Sequence, residues 1–242
     1  MIDKLGVSHF TMDSDLVDFL GHITIPVAGA QFLHAAAVHA AARGFGYDDM
    51  LRQNVAWVLS RMAIEMKSYP ELSEEITLYT WIEGAAGLFT QRCFELVSSK
   101  GESFCYARSI WAAIHMETRR PVPLDTESIN AYRLDRPCPI EKPGKIPPVE
   151  HLVEGEPYRV RYSDLDINGH LNSIRYMEHL LDRFDIALFT QKKITRFEIA
   201  YMAEGKYGME LSIHSRESFP DAYNMAICHE GKAICRAAVA WR

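Results

Sequence analysis

The chain repeats itself, and that restricts it to folds that can be built twice from one plan. VDFLGHIT at 17–24 and LDINGHLN at 165–172 share D-x-x-G-H in the same frame. SRMAIEMKSYPELSEEIT, from Ser60, and TRFEIAYMAEGKYGMELS, from Thr195, both read as a strand, a turn and a second strand. Gly101, Cys105, Ala107 and Trp111 then recur with identical spacing as Gly231, Cys235, Ala237 and Trp241. Three landmarks in the same order indicate an internal duplication.

Proline marks where the copies meet. Eight of the eleven prolines fall between Pro121 and Pro157, in a stretch without sustained helical or alternating periodicity. The expected organisation is an N-terminal domain over 1–120, a proline-rich linker over 121–157 laid across a surface, and a C-terminal domain over 158–242. Each half reads in the same order: a short strand (HFTM; YRVRY), the D-x-x-G-H segment, one helix, then several strands. In the second helix, Asn172–Phe189, the residues Leu171, Ile174, Met177, Leu181, Phe184 and Leu188 recur at helical steps and make one apolar stripe. The first, roughly Val27–Arg43, is rich in alanine, with Phe32, Leu33, Ala36 and Ala40 facing inward. One helix followed by a meander of strands predicts an α+β fold, an antiparallel sheet with the helix on one face, made twice.

At 242 residues, 48% hydrophobic and 24% charged, the composition is that of a globular protein rather than a disordered one. A net charge of −6 argues against a general nucleic-acid binder, which needs a basic footprint. The five cysteines are scattered, without zinc spacing, and read as reduced, buried thiols. No apolar run approaches the ~18 residues that span a bilayer, and the N-terminus lacks a signal-like apolar region, so a cytoplasmic location is expected. His34 and His39, five apart, do not share a helix face and are no metal pair.

The stretch YSDLDINGHLNSIRYMEHLLD, from Tyr162, crowds acids, asparagines and a histidine at the entrance of an apolar helix. Together with the tandem halves, the proline-rich connector and Tyr201 and Glu204 as Y-x-x-E, it resembles the acyl-acyl carrier protein thioesterases. Their plant members carry W-S-D-L-D-x-N-x-H-V-N-N-x-x-Y and, downstream, Y-R-R-E-C-G. Asp164, Asp166, Asn168, His170, Asn172, Tyr176, Tyr201 and Glu204 match; Ser173 replaces the second asparagine and Gly205 the cysteine. The resemblance implies two tandem hotdog domains, each an antiparallel sheet wrapped around one long helix. It also implies hydrolysis of thioesters to free fatty acid and carrier protein in fatty acid biosynthesis.

Asp166, Asn168 and His170 alternate, so in an extended segment they share one face. Gly169 permits a sharp turn, and Asn168 or Asn172 could cap the helix that follows. Thioester hydrolysis needs an activated water and donors for an oxyanion. The resemblance assigns activation to His170 with Glu204, leaving open which is the base. Asn168 would orient the water or the carbonyl, and Asp166 would hold Asn168 and the helix entrance. No metal or organic cofactor is called for. In the first half Leu20 replaces the asparagine and Tyr69 falls opposite Glu204, so that half is expected to be non-catalytic and to house the acyl chain, lined by Ala36, Ala40, Trp57, Met62, Ile64 and Met66. The expected partner is acyl carrier protein bearing a phosphopantetheine-linked acyl chain, with Arg119, Arg120, Lys192 and Lys193 as candidate contacts. A homodimer is left open, as are an acyl-CoA thioesterase and a non-catalytic acyl-thioester-binding module.

Overall fold

The computed structural model describes residues 3–149 and 155–242. It divides into two compact units, one ending at Pro143 and the other beginning at Gly144. The first unit contains β1 (Leu5–Thr11), α1 (Ile25–Ala41), α2 (Tyr47–Leu51), β2 (Val55–Met66), β3 (Glu75–Ala86), β4 (Phe89–Val97), β5 (Ser103–His115), β6 (Pro121–Val122) and α3 (Thr126–Asn130). The second contains β7 (Glu156–Arg159), a 3-10 turn (Tyr162–Asp164), α4 (Ser173–Leu181), α5 (Ile186–Gln191), β8 (Ile194–Tyr201), β9 (Glu210–Phe219), β10 (Ala222–His229) and β11 (Lys232–Trp241). Their strand orders, β1-β3-β4-β5-β2 and β7-β9-β10-β11-β8, are one permutation used twice, antiparallel throughout. The internal repeat seen in the sequence is thus a repeat of topology. No helix among the described residues is long and apolar enough to cross a membrane.

The repeated Cys-x-Ala spacing has a packing reason. Ala107 on β5 lies between Phe94 and Ile64 in the register, and the Phe94 ring meets Phe32 of α1 at 4.9 Å between centroids. Cys105 and Ala107 are fully buried, so their small side chains let the helix approach the sheet. Cys235 sits opposite Tyr201, whose ring meets Tyr176 of α4 edge-on at 5.5 Å. A bulge at Ser60 of β2 restores the phase of the strand, putting Trp57 on the same face as Met62, Ile64 and Met66. Of these, Met62, Ile64 and Met66 are buried beneath α1, while Trp57 is half-buried and donates from Nε1 to the Phe45 carbonyl at 2.9 Å. Ala36 is buried and Ala40 half-buried.

Three expectations are corrected. The second helix breaks after Leu181, because Asp185 accepts from the Ala187 amide at 2.7 Å and starts α5 afresh. Phe184, in the break, packs edge-on against Tyr223 and Trp241. In α1 the buried line runs Ala28, Phe32, Ala35, Ala36 and His39, so Leu33 and Ala40 lie at its margin rather than at its centre. The stretch expected as a linker over 121–157 is built into the first unit through Pro143: β6 pairs with β5, and Leu134, Cys138 and Ile140 cover Trp81 and Cys93 on the sheet face away from α1. Arg136 lies over the Tyr79 and Trp81 rings and pairs with Glu95, which supplies the energy that proline-rich sequence alone does not reveal. Residues 150–154 of that stretch lie outside the described residues.

Under α1 sits a buried polar cluster. His39 Nε2 lies 3.1 Å from the Lys4 carbonyl and Nδ1 lies 3.0 Å from Arg92 Nη1, so the imidazole is neutral, donating from Nε2 and accepting at Nδ1. Burial, with the Arg92 and Arg43 charges, pushes the His39 pKa down to about 3, and burial lowers that of Arg92 to about 9. Because the folded His39 resists the proton that the unfolded chain takes up near pH 6.5, stability is full above that pH and falls as the pH drops toward 3. The contribution reaches up to about 1.4 kcal/mol per pH unit. Urea melts of wild type and His39→Gln from pH 7.5 to 4 should show the steeper acid loss in the wild type.

Candidate active site

The D-x-x-G-H segment is a closed turn and not the extended strand that its alternation predicted. The Asp166 amide donates to the His170 carbonyl at 2.8 Å, the Gly169 amide returns to the Asp166 carbonyl at 3.0 Å, and Leu165 bridges Leu171. The reason is a side chain. Asp166 Oδ1 accepts from the Asn168 and His170 amides at 2.8 and 3.0 Å, offering the backbone local partners in place of a sheet ladder. Gly169, at φ +74°, takes the left-handed position that this closure demands. Ile167 and Asn168 therefore stand exposed at the tip, and His170 lies half-buried on the returning arm.

Beyond the turn the chain enters α4. Asn172, rather than Asn168, is the N-cap, its Oδ1 accepting from the Ile174 amide at 2.8 Å. Its own amide donates to the Asp164 carbonyl at 2.8 Å. Asp164, a motif position with no role evident from sequence, anchors this cap. Its buried carboxylate accepts from the Tyr158 hydroxyl at 2.5 Å and from the Arg161 amide at 2.7 Å, with His179 Nε2 at 3.6 Å. Burial and the Asp164 charge raise the Tyr158 pKa to about 12, and burial lowers that of His179 against the opposing pull of the same carboxylate.

Glu204 reaches His170 from the segment after β8. Its Oε2 lies 3.2 Å from His170 Nε2, both side chains partly open to solvent. Backbone bonds fix this approach: Leu171 donates to the Gly205 carbonyl at 2.8 Å, and His170 bridges Lys206. Two tyrosines secure the segment from the helix side. The Tyr176 hydroxyl accepts from the Gly205 amide at 2.8 Å and donates to the Ala203 carbonyl at 3.3 Å, while Tyr201 donates to the Ser173 carbonyl at 2.8 Å. Burial pushes both phenols up, which keeps them as donors. The motif's tyrosines were legible as matches; their work as struts was not.

The first unit holds the same turn with different chemistry. Asp18 Oδ1 accepts from the Leu20 and His22 amides, both at 2.9 Å, Gly21 sits at φ +75°, and Thr24 caps α1. Against His22 lies the Tyr69 ring, 4.6 Å between centroids, where His170 meets a carboxylate. In chemical terms the second unit presents an imidazole and a carboxylate in contact beside a helix N-terminus. That arrangement can take a proton from water while first-turn amides face a developing oxyanion.

Comparison with known proteins agrees with this geometry. Residues 5–132 match the family described as Acyl-ACP thioesterase N-terminal domain, and residues 150–242 the Acyl-ACP thioesterase C-terminal domain. A crystal structure of an acyl-ACP thioesterase from Bacteroides thetaiotaomicron is 42% identical and superposes with a TM-score of 0.93, covering 99% of this chain and 98% of that one. The 12:0-ACP thioesterase from Umbellularia californica, 20% identical, shares the fold at a TM-score of 0.89 over 100% of this chain and 98% of that one. A palmitoyl-acyl carrier protein thioesterase of Gossypium hirsutum is 26% identical over 84% of this chain and 51% of its own length. The chain spans about half the length of the curated relatives it matches.

Gly205 is held by contact. A Cβ there would come 2.9 Å from Leu171 Cβ and 3.1 Å from the Tyr176 hydroxyl, so neither alanine nor cysteine fits without displacing the segment that carries Glu204. Gly205→Ala should destabilise the protein by about 1–3 kcal/mol, the usual cost of overpacking. Tyr176→Phe, which strips a partner from the Gly205 amide, should cost about 1–3 kcal/mol. Denaturant melts of both variants measure these losses.

Proposed function

Because the chain belongs to the acyl-ACP thioesterase family, we propose that it hydrolyses the thioester joining a fatty acyl chain to the phosphopantetheine arm of acyl carrier protein, releasing free fatty acid and the carrier thiol. The observation that carries this reading is the His170–Glu204 contact of 3.2 Å at the entrance of α4. Water adds to the thioester carbonyl carbon as its proton passes to the imidazole–carboxylate pair. Amides at the start of α4 receive the oxyanion, and collapse expels the thiolate, which takes the proton back from the pair. Asp166 acts as a clamp, since its Oδ1 already serves two amides of the turn. From the exposed tip, Asn168 orients the carbonyl or the water as substrate arrives.

In this reading the first unit is non-catalytic and receives the acyl chain under its alanine-rich helix. Met62, Ile64, Met66 and Trp57 on one face of β2, with Ala36 and Ala40 of α1, supply an apolar lining. The replacement of a carboxylate by Tyr69 beside His22 supports the division of labour.

Glu204→Ala, His170→Ala and Asn168→Ala should each lower hydrolysis of an acyl carrier protein thioester by about 10²-fold or more, with thermal melts confirming the fold. The Glu204 and His170 double variant should be little worse than the more damaging single one, because the two act as a unit. His22→Ala should leave turnover near wild type. A folded Glu204→Ala enzyme with full activity would remove Glu204 from the chemistry.

Ala36→Leu and Ala40→Leu should shift the released acids toward shorter chains, read by gas chromatography of the products. An unchanged profile from folded variants would place the chain elsewhere.

A further inference from the structure

The rim of the candidate site is apolar where a soluble surface would ordinarily be polar. In the second unit, the exposed large hydrophobics among the described residues are Tyr162, Ile167, Ile186, Met202, Tyr207 and Phe219, and four of these six lie in the two loops that carry His170 and Glu204. Tyr162 is 86% exposed, Ile167 79%, Tyr207 69% and Met202 53%. Backbone bonds draw these loops together. The His170–Lys206 bridge sets the loop of Met202 and Tyr207 against the Asp166 turn, and Gly208 and Met209 exchange hydrogen bonds with Val160 at 3.0 Å, setting Tyr207 beside Arg161 and Tyr162.

Charge follows the same line. Arg161 and Lys206 are exposed in these loops, Arg161 lying over the Tyr158 ring. The neighbouring acids are committed inward: Asp164 holds Tyr158 and the Arg161 amide, Asp166 holds its turn, and Glu204 meets His170. In a chain of net charge −6, this edge thus presents cations among aromatic and aliphatic side chains. Lys192, a candidate contact on sequence grounds, is paired with Asp221.

We infer that Tyr162, Ile167, Tyr207, Arg161 and Lys206 form the docking surface for the acidic protein portion of the carrier, so that the enzyme discriminates the carrier from the bare thiol arm. This rests on the proposed thioesterase reading. Exposed aromatics at the centre of an interface carry much of its affinity, and rim cations accelerate encounter with an acidic partner in a salt-dependent way. The surface adjoins the pair, so a docked carrier delivers its arm to His170 and Glu204.

The test uses one acyl chain on three thiols: acyl carrier protein, CoA and N-acetylcysteamine, a minimal mimic of the arm. Tyr207→Ala and the Arg161→Glu, Lys206→Glu double variant should each raise KM for the carrier substrate by about 10-fold or more, and the double variant should also flatten its dependence on salt. Their kcat/KM for the N-acetylcysteamine ester should stay within about twofold of wild type. Unchanged carrier kinetics would overturn the inference, as would equal losses on both esters, which would place these residues in the chemistry or the fold. A loss on CoA equal to that on the carrier would also overturn it, assigning the cations to phosphates of the arm. If wild type cleaves none of the esters, the thioesterase reading fails by itself, and docking is then decided by calorimetry with holo-carrier: binding lost in the variants supports it, and no binding by wild type refutes it. Sedimentation that shows a wild-type dimer and monomeric variants would assign the surface to a second copy instead.

Discussion

A single carboxylate oxygen organises the second unit's site. Asp166 Oδ1 takes two amides of its own turn, and with Gly169 in the left-handed region the chain reverses within five residues, 166–170. Bonds from a charged acceptor to backbone amides are among the stronger ones available, and here they replace ladder bonds that the segment gives up. Once the turn is closed, Leu171 meets the Gly205 carbonyl, which brings the segment bearing Glu204 alongside His170. The His170–Glu204 contact is therefore a consequence of how a strand is turned into a helix.

The same device in the first unit shows what duplication preserves and what it releases. Asp18 closes its turn with the same bonds, and both sheets follow one strand order, because the turn and the helix-on-sheet packing are conditions for folding. The residue facing the histidine is not such a condition. Tyr69 stacks on His22 where Glu204 pairs with His170, and the fold tolerates either. The first unit instead places polarity at the other end of its helix, where neutral His39 accepts from buried Arg92.

Support for the site comes from residues outside the His170–Glu204 pair. Asp164, through its carbonyl, sets the cap of α4, and through its carboxylate it ties Tyr158 and the 3-10 turn beneath it. Tyr176 and Tyr201 brace the helix against the segment bearing Glu204. Gly205 completes the fit by lacking a side chain where Leu171 approaches.

The sequence by itself determined the repeat, the order of helix and strands in each half, the Asp-x-x-Gly-His turn as a landmark and the pairing of His170 with Glu204, because these are carried by local spacing and by motif. Hydrophobic periodicity also located both helices to within a turn at their starts. Tertiary structure alone decided the rest. Alternation put Asp166, Asn168 and His170 on one extended face, but side-chain bonds to the backbone leave no trace in periodicity, and they closed the segment into a turn with Asn168 at its tip. The break at Asp182–Asp185 had the same cause, an aspartate competing for amides within an apolar stripe that looked continuous. Residues 131–142, read as connector, became the cover of a sheet face because Leu134, Cys138 and Ile140 pack on Trp81 and Cys93, about 40 to 60 residues upstream. The tyrosine struts and the Asp164 anchor likewise join residues distant in the chain, where only the folded geometry assigns partners.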